Sequence, residues 1–361
     1  MKKEKKNCPP CKKTSIGGQA LLEGVMMRGP ERYALAVRRP NGEIFFETHE
    51  NTQKKRAKIC RWPFIRGIFG FIDSLTLGYK CLMRSAEIFA EEEENNVGKK
   101  ADAEAAAEAT EAHETAPVEA VQTEETPAQK EEKNDEPKSS LGKGAMTAVG
   151  IIAAVLGIII VLGLFVWLPT FLFTKLSPVL PERVASSRLA RSAFEGVIKI
   201  VLFVLYLLLV SLMKDIRRTF MYHGAEHKTI FCYEHGLPLT VENVRVQRRF
   251  HPRCGTSFLI LMLIVSIIVG LFIPTSIAGV NPTAYTFIRA GIRLLLIPII
   301  MGIGYELLKL AGRHDNVLTR IISAPGLWLQ RITVKEPTDD MIECAIRSFE
   351  AVVPQDGSDK W

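Results

Sequence analysis

The 361-residue chain has no disulfide framework, since its seven cysteines are odd in number and irregularly spaced. Cys8-Pro-Pro-Cys11 lacks a second CxxC to complete a zinc site, and no βαβ pattern follows to make it a redox pair. It reads as a reduced, mobile tail. The Lys-rich start has no apolar core between Cys8 and Gly18, so no signal peptide is expected. Large apolar residues are nearly missing from the Ala/Glu-rich tract Glu91 to Ser140. That excludes a buried core there and predicts a disordered linker, with its His113 given no chemistry. The arginines between Lys214 and Gly255 lack interleaved aromatics for stacking bases, so no nucleic acid is expected as a partner. No internal repeat is detectable, which weakens a transporter reading built on Glu306, Arg289 and Arg293.

What is abundant is segregated. The chain is 47% hydrophobic, and 46 Lys+Arg stand against 39 Asp+Glu. One acidic tract and several uncharged runs alternate with basic segments, the composition of a membrane protein with soluble parts. Four spans are expected, against a requirement of ~20 apolar residues: Gly144 to Thr174, Phe194 to Met213 with Lys199 snorkelling, Ser257 to Ala278, and Tyr285 to Leu310. The fourth is interrupted by Arg289, Arg293 and Glu306 and contains Pro298. Basic residues crowd the loop Lys214 to Gly255, whereas none precedes Arg289 in the loop between spans three and four. That asymmetry predicts a plasma-membrane protein with both termini and the 214–256 loop cytoplasmic. Lys175, Arg183, Arg188 and Arg191 in the first external loop run against the rule.

The soluble parts carry their own patterns. Ala20 to Met27 reads as one mostly apolar strand, and Tyr33 to Val37 and Ile44 to Thr48 flank the turn signal Pro40-Asn41-Gly42. This is a small β-meander. Glu23 inside the first run needs a partner, such as Arg28 or a metal, or else an outward edge position. Trp62 to Leu82 mixes aromatics and isoleucines with Arg66 and Asp73 after a basic stretch, Lys54 to Arg61. It fits an amphipathic helix in the membrane interface, or one packing the meander onto the membrane part. Val241 to Phe250 reads as a helix, and Asp339 to Val353 as an amphipathic segment with Met341, Ile342, Ala345, Ile346 and Phe349 at helical spacing.

The chemistry gathers at Tyr222-His223-Gly224-Ala225-Glu226-His227-Lys228. If this stretch is helical, His223 and His227 share a face and can bind one metal ion. Glu226 is then placed to act as general base, in the His-x-x-Glu-His order of the inverzincins. A bound zinc lowers the pKa of its water toward ~7. A catalytic site needs a third protein ligand. His251 and Glu306 are the candidates for it, with Cys254 as a further one, because the span assignment brings them toward one level. Plainer roles stand beside each: Glu306 pairing with Arg289, Arg293 or Lys309, His251 ending a helix before Pro252, and Cys254 as a small buried residue. If the meander reaches the same level, Glu23 or Gln19 joins the site.

The runs Gly17 to Gly29, Tyr222 to Lys228, His251 to Phe258 and Ala324 to Gln330 resemble the YqhQ-like family of bacterial multi-pass membrane proteins. That family is a domain of unknown function tagged as a predicted metal-dependent enzyme, so the resemblance implies a metal without naming a reaction. The expected fold is a mainly α membrane protein with about four transmembrane helices, a small N-terminal β-meander, an interfacial amphipathic helix and cytoplasmic helical segments. Its parts are 1–16 (tail), 17–89 (meander and amphipathic helix), 90–140 (linker), 141–313 (transmembrane domain) and 314–361 (C-terminal helical segment). The expected function is a divalent-metal hydrolase, zinc being the metal, acting on a peptide, ester or amide near membrane lipids. The alternative is a non-catalytic membrane scaffold whose histidines are structural.

Overall fold

The computed structural model describes residues 13–51, 60, 62–111, 152, 155–274, 279, 281–314 and 316–359. Cys8 and Cys11 lie outside the described residues. The chain divides into two units, one of residues 1–93 and 169–361 and one of residues 94–168. Helices predominate, joined by one four-stranded sheet.

Strands β1 (Gly17–Leu21), β2 (Gly24–Arg28), β3 (Arg32–Arg38) and β4 (Ile44–Glu50) pair antiparallel in sequence order, the expected meander. The single strand expected over Ala20 to Met27 is instead a hairpin. Leu21 pairs with Gly24, leaving Leu22 and Glu23 as a two-residue turn. Glu23 sits at φ +51, in the left-handed region, and its carboxylate takes two hydrogen bonds of 2.5 Å from Arg218. The Pro40-Asn41-Gly42 turn forms, with Gly42 at φ +90.

Both faces of the sheet are covered, so β2 is apolar on both sides. Val25, Met27, Ala34 and Ala36 belong to one cluster, and Met26, Leu35 and Val37 to another. The second cluster is closed by Cys81 and Ile88 of α1 (Ile65–Glu111). The first is closed by α5 (Lys214–Glu234) and α10 (Asp339–Glu350), the latter burying Met341, Ile342, Ala345 and Phe349 as its spacing predicts. Each such large side chain contributes roughly 1.5–3 kcal/mol. Helix α10 is also locked to the sheet by Ser348, fully buried, which accepts from the Met27 amide (3.0 Å) and donates to the Ala34 carbonyl (2.9 Å).

Helix α1 behaves as an amphipathic helix that packs on the meander. Leu77, Cys81 and Ile88 face the sheet, whereas Phe69, Ile72, Leu75, Tyr79, Leu82 and Met83 remain exposed. It runs on to Glu111, into the tract expected to be a linker from residue 90. Alanine and glutamate are strong helix formers, so local propensity extends the helix where no core exists. Residues 112–150 lie outside the described residues.

Three helices are long and apolar enough to cross a membrane: α2 (Val155–Val179), α4 (Arg188–Val210), which follows the short α3 (Glu182–Ala185), and the stretch Phe287–Arg313. The last belongs to α8 (Pro282–Arg313), which continues through Pro298. The fourth expected span is α7 (Gly255–Gly270). Its 16 residues reach about 24 Å, against a hydrocarbon core of about 30 Å. Residues 275–278, which the expected span included, lie outside the described residues. The helix expected over Val241 to Phe250 is shorter, α6 (Val241–Arg245). Pro252 disfavours helical backbone at His251 before it, so the approach to Cys254 is irregular. Helix α9 (Val317–Thr333) then packs on α7, where a side chain at Gly326 would meet Ser257 at 2.4 Å.

Ser348→Ala removes the donor to Ala34 and the acceptor for Met27 at a fully buried position. A loss of about 1–3 kcal/mol is expected, read as a lower thermal midpoint of the detergent-purified chain. An unchanged midpoint would mean that the clamp contributes nothing.

Candidate metal centre

Helix α5 starts anew at Lys214, after α4 has ended at Val210 and the chain has turned. Its apolar positions face the sheet and α10, with Tyr222, Ala225 and Ile230 in that core. The same periodicity turns His223, Glu226 and His227 to a neighbouring face. The two imidazoles are one turn apart, edge to face, with ring centroids 4.4 Å apart.

Each ring is fixed from behind by a backbone carbonyl. His223 Nδ1 donates to Thr333 O (3.0 Å) and His227 Nδ1 to Arg249 O (2.6 Å). That turns Nε2 of both rings inward, the nitrogen through which a metal ion would be held once its proton is lost. Thr333 can come so close because position 224 is glycine. A Cβ there would lie 2.0 Å from Lys335 O, in the segment that follows α9.

Cys254, at the N-terminus of α7, completes the group. Its Sγ lies 3.2 Å from His223 Nε2 and 3.1 Å from Thr256 Oγ1. Ligand atoms of His223, His227 and Cys254 all lie within 4.8 Å of one another. Burial alone would raise the thiol pKa, but the two histidines outweigh it and hold Cys254 well below its usual range. Burial opposes charge on His223 as well, yet Cys254 and then Glu226 raise its pKa to about 9.

Glu226 is buried beside them. One oxygen accepts from the Gly18 amide at 3.0 Å, so the meander does reach the site. Gly18 must be small, because a Cβ there would meet Glu226 Cγ at 3.0 Å and Met26 O at 2.6 Å. The other oxygen, Oε2, is buried without a hydrogen-bond partner. Burial raises the carboxyl pKa, partly offset by the two histidines.

Of the remaining candidates, His251 lies beside His227, ring centroids 5.6 Å apart, and lines the same cavity. Both ring nitrogens of His251 are engaged. Nδ1 accepts from the Arg253 amide (3.3 Å), and Nε2 faces Glu234 (3.6 Å) and the Arg253 guanidinium (3.4 Å). Burial lowers its pKa to about 4, so it is neutral. Glu306 accepts from Arg66 through both oxygens and from the Phe64 amide. Glu23 is held by Arg218 and by Tyr222 Oη at 3.3 Å. Neither Glu23 nor Glu306 stands with the histidines. The partners considered for Glu306, Arg289 and Arg293, bind Glu195 instead.

Residues that sequence reasoning did not single out organise the site. Gln330, fully buried, accepts from His251 N (2.8 Å) and donates to His251 O (2.7 Å) and Ser257 Oγ (2.9 Å). It therefore brackets the loop that carries Cys254. Glu234 pairs with Arg253 and accepts from the Thr14 amide. Above the group opens a cavity of about 570 Å³, walled by Gln19, Phe71, Leu75, Phe258, Tyr305 and Leu308 among others. Two imidazoles, a thiolate and a carboxylate with one unbonded oxygen fit a divalent ion of borderline softness, with zinc foremost.

The family model described as "Protein of unknown function (DUF1385)" matches residues 62–355. The chain is 33% identical over 341 residues to the "Uncharacterized protein YqhQ" of Bacillus subtilis (strain 168), covering 94% of this chain and 92% of that protein. No solved structure matches.

Gln330→Ala strands a buried amide and a buried carbonyl at His251. A loss of about 2–3 kcal/mol is expected, together with faster alkylation of Cys254 by a maleimide in the intact protein. Unchanged stability and unchanged thiol reactivity would remove Gln330 from the framework of the site.

Proposed function

The chain belongs to the DUF1385 family of proteins of unknown function, and for it we propose a metal-dependent hydrolase working at a membrane surface. The observation that carries the reading is the buried trio His223, His227 and Cys254 with Glu226 Oε2 left unbonded beside it. His223 and His227 hold the ion through Nε2 and Cys254 through Sγ, in place of the His251 or Glu306 expected from the sequence. A divalent ion so held supplies Lewis acidity and a water of lowered pKa.

The chain's own residues do the rest. Thr333 O and Arg249 O keep the imidazoles in register. Glu226, anchored by Gly18, accepts a proton at Oε2, and burial raises its pKa, which favours holding that proton. Phe71, Leu75, Phe258 and Leu308 exclude water and favour an apolar substrate. An ester, amide or peptide bond presented at the bilayer surface suits this wall. The basic loop 214–255 supports a cytoplasmic position for the centre and for both termini in the plasma membrane.

Metal content of the detergent-purified full chain, prepared without chelators, tests the site. Wild type is expected to carry one divalent ion per chain, lost in His223→Ala/His227→Ala and in Cys254→Ala but kept in His251→Ala and Glu306→Ala. No stoichiometric metal in wild type, or loss with His251 or Glu306 and not with Cys254, overturns this ligand set.

Glu226→Gln is expected to keep the ion and to lower turnover of ester or amide amphiphiles by at least about 10²-fold, the scale of general-base catalysis. Full turnover in that variant would leave a structural metal in a membrane scaffold.

A further inference from the structure

Glu195 is 1% exposed within α4, a helix apolar enough to cross a membrane. It accepts from Arg191 (3.1 Å), Arg289 (3.0 Å), Arg293 (2.6 Å) and Thr170 Oγ1 (3.2 Å). Among the described residues, Glu195 is the one carboxylate these three guanidinium groups meet. Three positive charges against one negative leave two uncompensated, and Lys199 stands one helical turn further along the same face. Arg289, 3% exposed, has both Nε and Nη2 buried with no acceptor. Arg191 and Arg293, at 20% and 18%, are partly open.

Excess cation at this depth is costly in hydrocarbon, and orphaned guanidinium donors add to the cost. A carboxylate would have been the simple remedy, yet Glu195 is already saturated. The missing component is therefore an oxyanion from outside the chain, with several acceptor oxygens to match the planar guanidinium forks. We propose that Arg191, Arg289 and Arg293 form a binding site for a phosphate-type oxyanion, presented either by an anionic lipid headgroup or by free phosphate. Helix α8 carries Arg289 and Arg293 near its start and Tyr305 and Leu308, which line the cavity of the metal centre, near its end. From Arg293 to Tyr305 along the helix is on the order of 18 Å. The anion site thus lies at the opposite end of the spans and does not depend on the metal reading. It also gives Arg191, Arg289 and Arg293 a local role, separate from membrane orientation.

The test is native mass spectrometry of the full chain in a non-ionic detergent, exchanged against phosphatidylglycerol or phosphatidylcholine, with thermal shift by inorganic phosphate alongside. One retained phosphatidylglycerol per chain, favoured about tenfold over phosphatidylcholine, would assign the lipid as the source. Stabilisation by inorganic phosphate without a lipid preference would assign a free oxyanion. In either case Arg293→Gln, at the partly open rim, is expected to weaken binding at least about tenfold. Glu195→Gln, which removes the competing carboxylate, is expected to strengthen it. Binding indifferent to Arg293→Gln, weaker binding in Glu195→Gln, or no response to either probe overturns the proposal.

Discussion

A charge taken out of water needs a partner, and ion pairs that meet this need tie distant parts of this chain together. Arg66 of α1 reaches Glu306 of α8, binding the sheet-covering helix to a membrane-type helix. Arg218 of α5 meets Glu23 at the tip of the first hairpin. Lys228, nearly fully buried, is paired with Glu336 and the Arg245 carbonyl. Arg253 is paired with Glu234. Three of these four pairs join segments far apart in sequence, the exception being Arg253 and Glu234, 19 residues apart. What remains around His223, His227 and Cys254 is a set of donors to which, among the described residues, no lysine or arginine side chain is seen bonded.

That set is held in place by backbone as much as by side chains. Two carbonyls fix the imidazoles, one amide fixes Glu226, and Gln330 brackets the peptide at His251 three residues before Cys254. Such outer contacts decide which ring nitrogen faces the centre. They also explain two glycines that look unremarkable in the sequence. Gly224 admits the segment after α9, and Gly18 admits Glu226.

Much of this was legible in the residues themselves. The four-residue spacing of the histidines, the turn at Asn41-Gly42 and the 3.6-residue pattern of α10 all follow from local periodicity, and local periodicity is what a sequence displays. The Leu22-Glu23 turn was hidden because an apolar strand covered on both faces does not alternate, so nothing marks its midpoint except Gly24. The third donor stayed open in the sequence for a different reason. His251 and Cys254 are equally near in sequence, and only the pairing of His251 with Glu234 and Arg253 separates them. Glu306 likewise suggested pairing with Arg289, Arg293 or Lys309, all near it in sequence, whereas Arg66, which it does bind, lies 240 residues away. Long-range pairing has no signature in a single sequence.

Whether the centre is structural or catalytic turns on how completely it is enclosed. Structural zinc sites are four-coordinate and closed, whereas catalytic ones keep a position for water and substrate. Here three donors converge from α5 and the start of α7. The fourth neighbour, Glu226, is held by one oxygen and leaves the other unbonded. A purely structural site gains nothing from a buried carboxylate oxygen without a partner, which costs stability. A general base needs that free oxygen. The apolar cavity in front of it adds a second reason, since a closed structural site requires no chamber of some 570 Å³ beside it. On the proposed reading, the arrangement suits a reacting molecule that arrives from the membrane side.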